Sequence, residues 1–249
     1  MTPPDRSLDP FARLRGLTGA RIGLGRCGQG LPTAAMLEFQ LAHALARDAV
    51  HAPLDVAALQ ARLEGPSLPV RSQASDRADY LRHPDHGRRL TDESRARLSP
   101  AGADVALVIA DGLSATAVEA HAPALAAALR RRLEGLSFAP VVVATQARVA
   151  LGDEIGHALG TKVVVVLIGE RPGLSAADNL SAYVTWAPRV GRADSERNCV
   201  SNIRDGGGLP IGLAAEKIAW IVRQAFGLKL TGVGLKERLD SLPGAAEMG

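Results

Sequence analysis

The run VVVVLIGERPG at residues 163–173 places a carboxylate and a guanidinium directly after six apolar side chains. Glu170 can accept hydrogen bonds from amide or hydroxyl donors and Arg171 can donate them, which by itself is binding chemistry rather than bond-breaking chemistry. Three further polar points follow apolar runs in the same way: Asp111-Gly112, Arg148-Val149, and the segment from Cys199 to Asn202. If these runs are strands of one open sheet, the four points converge on one rim, where α/β folds bind their ligands. The set offers acceptors, donors and a small apolar surface, which suits a large polar ligand better than one reacting bond. A solvated Glu-Arg turn is the plain alternative at 170–171, and the local pattern leaves both open.

Other clusters carry less. His83, Asp85 and His86 invite a metal reading, but ligands crowded around Pro84 are expected to point in different directions and a fourth is missing. No metal site is therefore expected. A loop and helix docked on another surface suits residues 71–97, with a solvated charged segment as the alternative. His43 has no second metal-binding side chain at i±4. Gly23-Leu24-Gly25-Arg26-Cys27-Gly28 is a formal dinucleotide fingerprint without room for the strand that must precede one. Gly112-Leu113-Ser114-Ala115-Thr116 follows a strand as a nucleophile elbow should, yet Thr116 stands where the second glycine belongs. Ser114 is assigned to a helix start, and His121 and His157 fall on helices without a triad spacing. A hydrolase using Ser114 stays as the competing enzyme class, and an assembly factor as the purely structural one.

The elements that must position these groups follow from periodicity. Buried-type strands are expected at residues 105–110, 140–144 and 163–168, with further strands at 181–186 and 199–203. Helices alternate with them at 115–133, bent or restarted at Pro123, at 152–159, and at 210–226 between Pro210 and Gly227. Alternation of this kind signals a parallel sheet with crossover helices. Upstream, residues 1–32 read as an extended arm rich in Pro, Gly and Arg, followed by a helix at 33–50 and a short one at 55–63. Ala34, Leu37, Leu41, Leu45 and Ala49 share one face of the longer helix. The tail after Lys236 reads as frayed.

Composition bounds the partners. The 249 residues are 47% hydrophobic but only 3% aromatic, so Ala, Val and Leu must fill the core. A formal charge of +3 with a pI near 9.2 is too mild and too scattered to imply nucleic acid. Lysine occurs only as Lys162, Lys217, Lys229 and Lys236, so the basic groups are chiefly guanidinium, which hints at ion-paired protein contacts or at genomic base composition equally. Cys27 and Cys199 lack metal-ligand spacing, and two distant cysteines argue against a disulfide scaffold, which fits a reducing compartment. Residues 1–18 contain no apolar signal region and no stretch has the apolar length of a membrane span, so a soluble, unsecreted chain is expected.

Six segments occur in a familiar order: RIGLGRCGQGLPT, FQLAHALARDAVH, SDRADYLRHPDHGRRL, ARVALGDEIGHALG, IGERPGLS and RNCVSNIRDGG. In these the chain resembles the small subunit of ethanolamine ammonia-lyase, from about Asp9 to Phe226. The resemblance implies a Rossmann-like α/β fold preceded by a helical N-terminal arm: residues 1–100 would dock a partner and residues 101–249 would contact cobalamin. It implies an adenosylcobalamin enzyme whose large subunit forms a barrel and holds ethanolamine, in a hetero-oligomer with six copies of each subunit. The family reaction is radical elimination of ethanolamine to acetaldehyde and ammonia, and the catalytic residues belong to the partner. Carried over by motif, the cofactor contacts are Val149, Glu170 and Cys199, with Arg148 as a weaker addition. The chain has no DxHxxG loop, so the resemblance implies that the cofactor keeps its lower base. The expected location is cytoplasmic. Relatives with leaders longer than the one before Asp9 point also to a bacterial microcompartment, which the short leader leaves open.

Overall fold

The computed structural model describes residues 11–236. In chain order the elements are α1 (Ala12–Arg15), α2 (Thr33–His51), α3 (Val56–Ala61), β1 (Ser67–Arg71), α4 (Arg77–Arg82), α5 (Asp92–Ala96), β2 (Val105–Ala110), α6 (Ala115–Arg132), β3 (Val141–Thr145), α7 (Leu151–Ala158), β4 (Val163–Gly169), β5 (Leu180–Trp186), β6 (Arg197–Ile203) and α8 (Ile211–Leu228). The leader before residue 11 and the tail after Lys236 lie outside the described residues.

The strands form one six-stranded sheet in the order β1-β3-β2-β4-β5-β6. β2 and β4, every residue of which is buried, sit at its centre, as continuous apolar runs should. Side chains alternate between faces with period two. Val105, Leu107, Ile109, Val163, Val165 and Leu167 meet α6 and α8 on one face. Ala106, Val108, Ala110, Val164, Val166 and Ile168 meet Leu151 and Ile155 of α7 on the other. Two sheet features depart from expectation. β5 runs antiparallel to β4, and β6 antiparallel to β5, so the sheet is mixed rather than wholly parallel. β1, which periodicity does not predict, adds a parallel edge strand beside β3. Its Pro69 is tolerated because an edge strand has only one ladder to satisfy.

The helix α6 runs through Pro123 as one continuous element instead of restarting there. A proline removes the bond to the carbonyl four residues back, here that of Glu119. That oxygen accepts a hydrogen bond from Arg62 Nη1 at 2.6 Å, and Glu119 Oε1 accepts one from the Asp55 backbone at 3.0 Å. The vacancy left by Pro123 is thus filled by the segment of α3, which fixes that helix against the α/β layer.

The charged stretch 71–97 docks on the chain's own layers. Tyr80 and Leu90 are buried, and Glu154 of α7 accepts from the Leu90 N–H at 2.8 Å and from Arg95 Nε at 2.8 Å. The arm is only partly helical: α1 has four residues, and residues 16–32 form turns with an isolated bridge between Cys27 and Gly30. Leu37, Leu41 and Leu45 of the apolar stripe of α2 find no cover among the described residues, at 58%, 61% and 54% exposure, whereas Ala49 at its end is buried.

At the opposite end of the sheet from its carboxyl rim, Asp104 ties β2 to β4. Its carboxylate accepts from Lys162 Nζ at 2.8 Å and from the Ser137 N–H and hydroxyl at 3.0 and 2.8 Å. The Lys162 bond and then those of Ser137 lower its pKa to about 2. A depressed carboxyl pKa gives stability that is complete above the ordinary range near 4 and lost as pH falls toward 2. Asp104→Asn should therefore flatten the acid limb of the Tm–pH curve between pH 4 and 2.5. At pH 7, solvent screening of the exposed Lys162 keeps the expected loss near 1 kcal/mol.

Candidate functional site

The strand ends that sequence grouped together have separate tasks. Asp111 is buried and accepts from the backbone N–H groups of Gln146 and Ala147 at 2.8 and 3.0 Å, so it shapes the turn that presents Arg148 and Val149. Burial outweighs those bonds and pushes its pKa up. The adjoining turn is packed backbone to backbone: a Cβ on Gly112, whose φ is +55°, would lie 2.2 Å from the Gly169 carbonyl oxygen, and one on Gly169 would lie 2.0 Å from that of Ser114. Only glycine fits either position.

Arg148, Val149 and Cys199 line one recess of about 430 Å³, together with Tyr183, Arg192 and Arg197. It lies over β5 and β6 beside the start of α7 rather than across the carboxyl rim. Tyr183 pairs with Cys199 across the strands, on the face opposite Leu180, Ala182 and Val184. Glu170 reaches the recess through Tyr183, whose hydroxyl donates to Glu170 Oε1 at 3.0 Å. Burial, with Cys199 and Glu170 close by, raises the Tyr183 pKa, so the phenol keeps its proton and remains a donor. Cys199 reaches solvent, yet the surrounding protein desolvates its thiolate and raises its pKa. It is a poor nucleophile and a suitable small contact.

Two guanidinium groups frame the recess differently. Arg148 stacks over Tyr80 at 4.4 Å from the ring centroid and donates Nη2 to the Tyr80 carbonyl at 3.1 Å, while its buried Nε has no hydrogen-bond partner. Tyr80 also carries Arg77 at 4.8 Å, and burial pushes its phenol up to about 12. Arg197 forms the floor. Nη1 and Nη2 donate to the two Asp153 oxygens at 2.6 and 2.7 Å, with both side chains almost fully buried. Burial alone would lower the Arg197 pKa, but the paired bonds outweigh it and raise it, so the guanidinium keeps its charge. Tyr183, Arg192 and Arg197 escape a reading of sequence that takes β5 and β6 as parallel strands; an antiparallel register would have set Tyr183 opposite Cys199.

The competing motifs have structural roles. Ser114 is fully buried, caps α6 by accepting from the Ala117 N–H at 3.2 Å, and gives its own proton to the Ala177 carbonyl at 3.0 Å. His121 meets Asp178 at 3.2 Å rather than Ser114, so no charge-relay arrangement forms there. Residues 23–28 have neither a strand before them nor a helix opening on Gly28. Asn202 bonds to Leu209 through its carbonyl and does not line the recess. The expectation that His83 and His86 diverge is overturned: their rings lie 5.1 Å apart and both meet Asp79, whereas Asp85 is turned out toward Arg88.

With that geometry in hand, comparison with known proteins is decisive. Residues 8–236 match the family described as ethanolamine ammonia-lyase light chain (EutC). The chain belongs to this family. Ethanolamine ammonia-lyase small subunits of Xanthomonas campestris pv. campestris and Rhodopseudomonas palustris are each 52% identical, over 250 and 254 aligned positions. The alignments cover 96% of this chain and 92% of the first relative, and 99% and 96% for the second. The small subunit of Bradyrhizobium diazoefficiens is likewise 52% identical, covering 98% of this chain and 97% of that one. Among the described residues of this light-chain family member, no helix is long and apolar enough to cross a membrane.

Proposed function

We propose that this chain is the small subunit of an adenosylcobalamin-dependent ethanolamine ammonia-lyase, a carbon–nitrogen lyase that works only as a complex with a large subunit. The observation that carries the reading is the convergence of Arg148, Val149 and Cys199 on one recess, with Glu170 joined to it through Tyr183. The donor set fits a corrinoid. The buried Arg148 Nε is an unused donor for an amide carbonyl or phosphate oxygen, Glu170 is an acceptor for amide N–H groups, and Val149 gives apolar contact. A recess of about 430 Å³ can take only an edge of so large a ligand, which suits a chain that closes over the cofactor while a partner holds the rest.

When bound, adenosylcobalamin would supply the radical chemistry for converting ethanolamine to acetaldehyde and ammonia. This chain's residues orient and shield. Glu170 and Arg148 fix the rim, Tyr183 and Val149 keep water from it, and the Arg197–Asp153 pair holds the floor rigid. The uncovered stripe of Leu37, Leu41 and Leu45, together with the exposed Phe11 and Leu14 of the arm, supports the docking of the large subunit along this region. Ethanolamine is held by that partner, and the assembly works in the cytoplasm as a hetero-oligomer.

The full chain, purified alone and supplied with adenosylcobalamin, should release no acetaldehyde from ethanolamine. Co-expression with the large subunit should restore turnover in a complex that co-elutes by size. Turnover by the lone chain would overturn the proposal, as would an active large subunit that gains nothing from this one.

A further inference from the structure

We propose that Asp79, His83 and His86 form a binding site for one divalent ion of the zinc type. This site is separate from the recess and does not depend on the cobalamin reading. One carboxylate oxygen and two imidazole nitrogens lie within 4.8 Å of one another. Asp79 Oδ1 is 2.7 Å from His83 Nδ1 and 2.9 Å from His86 Nδ1.

The backbone assembles the three donors. Asp76 caps α4, accepting from the Asp79 N–H at 2.8 Å, and His83 follows one helical turn later with its own N–H on the Asp79 carbonyl at 2.7 Å. The His86 N–H then donates to the His83 carbonyl at 3.0 Å, closing a turn over Pro84 and Asp85 that returns the second imidazole to the first. The Ser75 N–H holds Asp79 Oδ2 at 2.8 Å, which steadies the carboxylate while Oδ1 faces both histidines and His86 Nδ1 also lies 3.0 Å from Oδ2.

Two nitrogens and one oxygen suit zinc, and three protein ligands with one position left for water is a familiar zinc arrangement. With bonds of about 2.0–2.1 Å, tetrahedral ligands stand about 3.3 Å apart. The present spacings of 2.7 and 2.9 Å therefore need to open by only about half an ångström. The two imidazoles are half exposed, so small rotations supply that movement. A bound ion would clamp the turn whose Gly87 carbonyl receives the Arg148 N–H at 2.8 Å, bracing the recess from outside.

The test uses the complex with the large subunit, free of cobalamin and stripped of metal with a chelator, then titrated with zinc against a chromophoric competitor. Wild type should bind one more zinc per small subunit than a His83→Ala/His86→Ala double variant, and either single variant should bind that zinc at least tenfold more weakly. Asp85→Ala should match wild type, because Asp85 points away from the cluster. Circular dichroism confirms that the variants fold, as expected for changes at exposed positions. Equal zinc stoichiometry and affinity in wild type and the double variant overturns the proposal, and so does a loss caused by Asp85→Ala as large as that of the double variant.

Discussion

Arg197→Met should destabilise the chain by about 3–5 kcal/mol, the range for breaking a buried pair by removing one partner. The loss is large because the guanidinium satisfies much at once. Besides the two bonds to Asp153, Nη1 donates to Thr185 Oγ1 at 3.1 Å and Nη2 to the Arg192 carbonyl at 2.9 Å. Without it, Asp153 is a carboxylate in the interior between α7 and β6 that has lost the cation bonded to it. Burial already pushes its pKa up in the intact protein, and with Arg197 gone only the charge of Arg192 is left to oppose that push. A carboxyl whose folded pKa is raised contributes stability below its unfolded value near 3.9 and loses it as pH rises. The variant should therefore be least impaired at acid pH and most impaired at neutral pH. Urea unfolding followed through Trp186 and Trp220 fluorescence at pH 4.5 and 7.5 measures both effects. Asp153→Leu/Arg197→Met, which removes both charges, should recover most of the loss. A cost below about 1 kcal/mol for Arg197→Met alone at pH 7.5 would mean that the pair does not hold the recess floor.

The legibility of this fold in the sequence follows burial. β2 and β4 announce themselves because strands covered on both faces must be apolar throughout, and VALVIA and VVVVLIG are. α8 is equally plain, with Pro210 before it and one apolar face. The direction of β5 and β6 is not encoded in that way, since an alternating strand reads alike in either sense and the answer lies in how the turn at 170–179 reverses the chain. β1 is obscured by Pro69, and the continuity of α6 depends on Arg62, a residue distant in sequence that no local pattern connects to Pro123. For the site, Arg148, Val149 and Cys199 were readable from motifs and share a recess, but the residues that bind them into it were not. Tyr183 requires the antiparallel register, and Arg197 requires knowledge that Asp153 faces it from α7. The pairing of the two histidines escapes a local reading for a related reason: once Arg77–Arg82 is a helix, Asp79 and His83 are neighbours at i,i+4, and the carboxylate that meets both imidazoles is Asp79 rather than Asp85.

Glu170→Ala, in fully assembled complexes, should weaken cobalamin binding by about 1.5–3 kcal/mol, the range for hydrogen bonds to a charged group. That corresponds to about one to two orders of magnitude in Kd. The structure sharpens this expectation because Glu170 has two oxygens and Tyr183 engages only Oε1. A direct role leaves Oε2 for the corrinoid amides, whereas an indirect role would act through the position of the Tyr183 ring alone. Tyr183→Phe separates them, since it removes the hydroxyl and keeps the ring against Cys199. If Glu170 both touches the cofactor and anchors Tyr183, Tyr183→Phe should weaken cobalamin binding less than Glu170→Ala does, because it removes the anchor and leaves the carboxylate in place. Equal losses would make Glu170 a positioning residue for Tyr183. Ser114→Ala gives the contrast: it should cost about 1 kcal/mol of stability as a lost helix cap while leaving cobalamin affinity unchanged. Equilibrium titration of cobalamin absorbance, on complexes matched for subunit content, reads all three variants on one scale. Wild-type affinity in the Glu170→Ala complex would remove this residue from the cofactor rim and leave the recess of Arg148, Val149 and Cys199 without its acceptor.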